Sequence, residues 1–203
     1  MRNIILAALI IAISAASNAQ SPGIPDGQLV QAVADLSTAT CYGIQSGAIA
    51  LPRDEDPDAL DKTMAAVKAM GLTFGIEDRI LKDLGRAGGA MVSRATMGSR
   101  VLPAGDVVVT FGGPQPVCRV ILLAPAVNGM TDAVAALIVV RGWKQAPVTQ
   151  TSSAVERRAF VRRDAKGTPY MMNLIAIADA TSRLRLFTTT VRVPPGVTLP
   201  PGL

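Results

Sequence analysis

The chain contains no histidine, and its 203 residues include only two cysteines, one tryptophan, two tyrosines and four phenylalanines. Without histidine the commonest general base is missing, and with it any Ser-His-Asp or Cys-His arrangement. A serine–lysine hydrolase would carry S-x-x-K, yet no lysine stands three residues after a serine or threonine. G-x-S-x-G is absent too, since Gly43-Ile44-Gln45-Ser46-Gly47 has the wrong spacing. The scarcity of rings argues against a sugar-binding platform or a single-stranded nucleic-acid groove, both of which rely on stacking. No cofactor motif and no internal repeat is present, so none of the usual sequence signatures assigns an activity.

One long apolar run does stand out. Met1-Arg2-Asn3 is a short positive start, Ile4 to Ile13 is unbroken, and Ser14 to Ala19 ends in small residues. This is the three-part layout of a secretory signal peptide, residues 1–19, with cleavage after Ala19 and a mature start at Gln20. A membrane span needs about twenty apolar residues, roughly twice this run, so the mature chain is expected to carry no transmembrane segment. The first cysteine lies far from the cleavage site, and Arg2 stands alone, which disfavours a lipid anchor and a twin-arginine route. The layout places the mature protein in the bacterial periplasm or, second, the medium.

Export changes the meaning of Cys41 and Cys118. Two distant thiols with no histidine make a poor zinc site, and a redox pair would read C-x-x-C. An oxidising compartment favours one structural disulfide. It would close a loop of about 77 residues, stabilising the fold by about 4 kcal/mol on the chain-entropy account.

The length after cleavage suits a single domain, residues 20–193, with a Pro/Gly-rich tail over 194–203. Leu29, Val33, Leu36, Thr40 and Ile44 recur at helical spacing behind Asp26, a plausible cap. Leu51 to Asp58 then breaks the helix. Its acids do not follow calcium-loop spacing, so it reads as a solvated linker with Asp58 capping the next helix. Leu60, Met64 and Val67 mark the buried stripe of a helix ending at Gly71, and Ile76, Ile80 and Leu84 mark another ending at Gly85. Gly85 to Gly89 reads as a helix stop rather than a phosphate loop.

The period then changes to that of strands. Asp106 to Phe111 and Val117 to Ala124 form a hairpin, with Arg119 outward and Cys118, Val120 and Leu122 toward the core. A helix from Asp132 to about Arg141, capped by Asn128 or Thr131, is apolar all round and so is expected to be deeply buried. Three strands follow, about Val155–Arg163, Pro169–Ala178 and Arg183–Val193. The expected fold is α+β: amino-terminal helices and one buried helix packed on one face of an antiparallel sheet of about five strands.

Charge is uneven. Residues 20–83 carry ten acids and five bases, whereas residues 84–203 carry five acids and fourteen bases. Arg157, Arg158, Arg162 and Arg163 place bases on both faces of one strand, and Arg183 and Arg185 follow on the third strand of the meander. Charge can protect an edge strand against unwanted pairing. The same six arginines are also the candidate binding residues for an anionic envelope component or an acidic protein. No specific nucleic-acid partner is expected. The favoured reading is an exported, non-enzymatic binding protein without cofactor or metal. A histidine-independent exported hydrolase is the runner-up, and a structural envelope component is third.

Overall fold

The computed structural model describes residues 25–52, 57–84, 96–112, 117–147, 151–152, 154–178 and 182–199. The expected signal peptide with its cleavage site, the acidic stretch 53–56, the Gly85–Gly89 segment, the hairpin connection 113–116, most of the 179–182 turn and the tail beyond 199 lie outside the described residues.

The chain begins with α1 (Gly27–Asp35), whose first amides, on Gln28 and Leu29, are accepted by Asp26 as expected. It continues through a π-helical turn (Leu36–Cys41) into α2 (Tyr42–Ser46), which stops at Gly47. A regular helix presents only part of each turn to the core. The wider turn instead buries Leu36, Ser37, Thr38, Thr40 and Cys41 almost consecutively. Ser37 and Thr188 satisfy each other by a hydroxyl–hydroxyl bond of 2.7 Å, and Thr38 donates to the Ala34 carbonyl at 2.6 Å.

After α3 (Ala59–Ala69), the short β1 (Thr73–Phe74) and α4 (78–84), two antiparallel meanders follow. The first is β2 (Thr96–Leu102), β3 (Gly105–Phe111) and β4 (Cys118–Leu123). Then come α5 (Met130–Val140) and the short strands β5 (Lys144–Gln145) and β6 (Thr151–Ser152). The second meander is β7 (Val155–Arg163), β8 (Pro169–Ile177) and β9 (Leu184–Arg192). The meanders join where β9 pairs with β4, giving among the described residues one nine-stranded sheet, ordered β1-β2-β3-β4-β9-β8-β7-β5 with β6 also on β7. No helix among the described residues is long and apolar enough to cross a membrane.

The five expected strands are present, and four unexpected ones accompany them. Three are two residues long, and β2 contains Gly98, Ser99 and Arg100 in place of a β-branched run. Gly98 is required by its neighbour: a Cβ there would stand 2.8 Å from a Val67 methyl of α3.

The helices do not all lie on one face, which corrects the expected layering. The main core packs α1, the π-turn and α5 against Val107, Val109, Cys118, Val120 and Leu122. A second core on the other face packs Ile80 and Leu84 of α4 against Val108, Ile121 and Leu123. Unbroken apolar runs in β3 and β4 expose hydrophobic surface on both sides, so both sides need a cover.

Two helices are less buried than their composition implied. In α3, Leu60 and Met64 are 62% and 44% exposed, because only Val67 near the carboxyl end reaches the core. In α5, Val134, Ala135 and Ile138 turn inward while Val139 and Val140 stay 45% and 80% exposed. The expected caps also differ. Asp58 and Gly129 occupy the N-cap positions of α3 and α5 in left-handed conformations, with no side-chain bond, so neither Asn128 nor Thr131 caps α5.

Cys41 and Cys118 form the expected disulfide, both fully buried, with Cα atoms 5.2 Å apart across 77 positions of sequence. Replacing both cysteines by alanine is expected to lower the unfolding free energy by roughly 2–5 kcal/mol. Urea denaturation of the oxidised parent and the variant measures it, and equal midpoints with equal slopes would contradict it.

Candidate functional site

At one end of the sheet, α5 stops at Gly142, whose φ of +85° lies in the left-handed region that favours glycine. The chain then turns back along β7 as β5, with Lys144 opposite Val161 and Gln145 opposite Phe160, and the Ala146 amide donates to the Ala159 carbonyl at 2.8 Å. Lys144 therefore shares a face with Val161, and Arg163 is its diagonal neighbour. A Cβ at Gly142 would meet nothing within 4 Å. The result is a hollow of about 330 Å³ lined by Gly142, Lys144, Val161, Arg162 and Arg163. Three of these five residues are cations, and none is a carboxylate.

Arg162 lies on the helix-covered face, where its guanidinium carbon sits 4.4 Å from the ring centroid of Tyr42. Tyr42 meets Trp143 and Tyr170 edge to face, at 5.9 Å and 5.0 Å between centroids. Three of the chain's seven aromatic residues thus gather beside the hollow and hold one guanidinium against a ring. Arg162, Tyr170 and Arg192 lie in one cross-strand row. Burial, followed by the charge of Asp164, raises the pKa of the Tyr170 phenol, which donates toward Asp164 at 3.4 Å.

Asp164, the nearest acid in sequence, is committed to the β7–β8 turn. Its Oδ1 accepts from the amides of Lys166 and Thr168 at 2.9 and 2.8 Å, and Arg163 closes the same turn on the Gly167 carbonyl at 3.1 Å.

The six candidate arginines do not form one patch. Arg162 and Arg163 meet at this hollow. Arg157 stands exposed on the opposite face of β7 from Arg158 and Arg162. Arg158 reaches Asp132 of α5 at 2.5 Å and Glu156 at 2.6 Å. Burial works against its charge, and the hydrogen bonds to those two acids more than offset this, raising its pKa. Arg183 and Arg185 lie at the far end of the sheet. Arg183 pairs with Asp83 at 2.5 Å and lies 3.8 Å from Asp106. Arg185 sits at the β4–β9 register shift and donates to the carbonyls of Ala124 and Ser182.

Two larger clefts flank the segment from Ala124 to Gly129. One, of about 430 Å³, brings Arg185 and Glu156 together with Asn128, Thr131 and Ser152. The other, of about 380 Å³, contains Asp106, whose side chain is 3% exposed and takes both arms of the Arg79 guanidinium at 2.7 and 2.9 Å. The hydrogen bond to Asp106 is the chief cause that raises the Arg79 pKa. In the second cleft both arginines, Arg79 and Arg183, lie against Asp106. Among the described residues no three cysteine, aspartate or glutamate side chains converge as a metal site.

Nor is β7 a bare edge strand, for β5 and β6 pair with its two ends. Lys144 was missed as a site residue, because nothing in the local sequence shows which strand β5 pairs with. Comparison with protein-family models, with curated proteins and with solved structures finds no match.

The turn beside the hollow carries a pH dependence. Burial alone would raise the Asp164 pKa, but the Thr168 and Lys166 amides outweigh it and lower it below the ordinary aspartate value. A folded-state pKa below the unfolded one contributes stability above the unfolded value and loses it as pH falls through the folded one. The stability difference between the parent and Asp164→Asn is therefore expected to shrink on acidification through that range. Denaturant midpoints across pH measure this, and a gap that widens toward acid would contradict it.

Proposed function

We propose that this is an exported, non-enzymatic binding protein that takes a phosphate- or carboxylate-bearing envelope component, or an acidic protein, in the hollow of Lys144, Arg162 and Arg163. One observation carries the reading: Lys144 and Arg162, together with Arg163, line a concave surface that has no carboxylate among its lining residues. Arg162 supplies a planar fork suited to two-point recognition of such oxygens, and its stacking on Tyr42 limits the freedom lost on binding. The buried disulfide and the signal-like residues 1–19 support an oxidising address, with the periplasm as first choice.

Calorimetric titration with inorganic pyrophosphate tests the site. Affinity is expected to fall as salt rises. Lys144→Ala should weaken binding roughly tenfold, the scale of one charge-assisted hydrogen bond. Arg162→Lys should also weaken it despite keeping the charge, because an ammonium cannot reproduce the fork. Arg157→Ala, toward the opposite end of β7 from Val161 and Arg163, should leave it unchanged. Equal affinity for the parent and a Lys144→Ala/Arg162→Ala double variant would overturn the reading.

Export has a separate test. Amino-terminal sequencing of the protein from the envelope fraction should begin at Gln20, and an intact Met1 in a membrane pellet would contradict it.

A further inference from the structure

The cross-strand registers carry the hollow onto a wider surface. Lys144, Val161, Met171 and Val191 form one row across β5, β7, β8 and β9 on the outer face, the face that α4 covers farther along the sheet. A second row on that face runs Arg157, Ile175, Phe187 and Ile121, and Ile121 lies beneath α4. Between the rows, Arg119 stands opposite Thr189, which pairs with Asn173. The cover that α4 provides reaches Phe187 and goes no farther. Among the described residues Val161, Met171, Ile175 and Val191 belong to neither core, and the last three of them are half-buried. An antiparallel sheet that turns one face to water ordinarily places polar residues there. This face keeps an apolar middle with cations around it, the composition of an interaction site.

Ion pairing indicates what such a face takes. Where a helix packs on the sheet, arginines of the strands meet acids from that helix. Arg158 meets Asp132 of α5, and Arg183 at the start of β9 meets Asp83 of α4. On the uncovered part, the side chains of Arg119, Lys144 and Arg157 make no ion pair among the described residues, and neither row contains an acid. A partner strand has no edge to join, because β5 and β6 already pair with the outer side of β7. A second copy laid face to face would set these cations against their like. We infer that the outer face of β7, β8 and β9 docks an acidic amphipathic helix of another protein, as α4 docks on β3 and β4. Its carboxylates meet Lys144, Arg157 and Arg119, and its apolar stripe lies on Met171, Ile175 and Val191. The inference rests on the anion-binding reading for Lys144 and deepens it, since the hollow opens at one end of this surface.

The probe is a synthetic helical peptide with a leucine stripe flanked by glutamates. One analogue carries lysine for every glutamate, and another carries serine for every leucine. Fluorescence anisotropy follows each peptide against the mature protein, with pyrophosphate calorimetry in parallel. The parent should bind the Glu/Leu peptide, less tightly as salt rises, and bind each analogue at least roughly tenfold more weakly. Arg157→Ala and Ile175→Ser should each weaken the Glu/Leu peptide roughly tenfold while keeping the parent's pyrophosphate affinity, because both lie outside the hollow. Lys144→Ala should weaken both ligands. A near-ultraviolet circular dichroism spectrum equal to the parent's establishes that each variant is folded. Peptide binding by Arg157→Ala and Ile175→Ser equal to the parent's would overturn the inference and leave the anion site standing. So would pyrophosphate binding without peptide binding, or equal affinity for the Glu/Leu and Lys/Leu peptides. Binding of neither ligand would overturn both readings together.

Discussion

The bond between Cys41 and Cys118 joins the first helical segment to the strand at the middle of the sheet, and most of the architecture refers back to that junction. Strand β4 is where the two meanders meet, and the π-turn that presents Cys41 also places Ser37 on Thr188 of the neighbouring strand β9. The crosslink thus ties one helix to both halves of the sheet. It also positions the adjacent residue, Tyr42, on the helix-covered face at the end where Trp143, Tyr170 and Arg162 converge.

Electrostatics divides the molecule into regions where arginines meet acids and one where no acid lines the site. Helix α4 is fastened to the outer face by ions, with Arg79 gripping Asp106 of β3 and Asp83 meeting Arg183 at the start of β9. Arg158 is likewise tied to α5 through Asp132. These pairs align helices with strands, and those guanidiniums are occupied by the fold itself. At the hollow, Asp164 accepts the amides of its own turn and Arg163 donates to the Gly167 carbonyl. An excess of bases that looked like one arginine surface is in fact several structural clamps and one local concentration of cations around a concave surface.

Much of the fold was legible because local rules and tertiary needs agreed. Strands β7 to β9 fall within about a residue of the expected bounds, Asp26 caps α1, and two independent periodicities directed Cys41 and Cys118 inward. The failures have physical causes. Periodicity reports that Leu60 and Met64 share a face of α3, but not whether anything is there to cover them. Strand β2 carries Gly98 because α3 approaches it closely, and a residue chosen for a neighbour weakens the local strand signal. The arginines were visible one by one, yet the acids that neutralise Arg158 and Arg183 come from helices distant in sequence, and Lys144 joins the site only because α5 delivers β5 to the outer side of β7.

The disulfide-anchored helix reaches the proposed anion site through the Tyr42 ring, which holds the Arg162 guanidinium. A double-mutant cycle on pyrophosphate affinity, using Tyr42→Leu, Arg162→Lys and both together, measures that coupling directly. Tyr42→Leu is expected to weaken binding in the parent and to have no further effect once Arg162 is lysine. Full additivity of the two losses, or unchanged affinity in Tyr42→Leu alone, would contradict it.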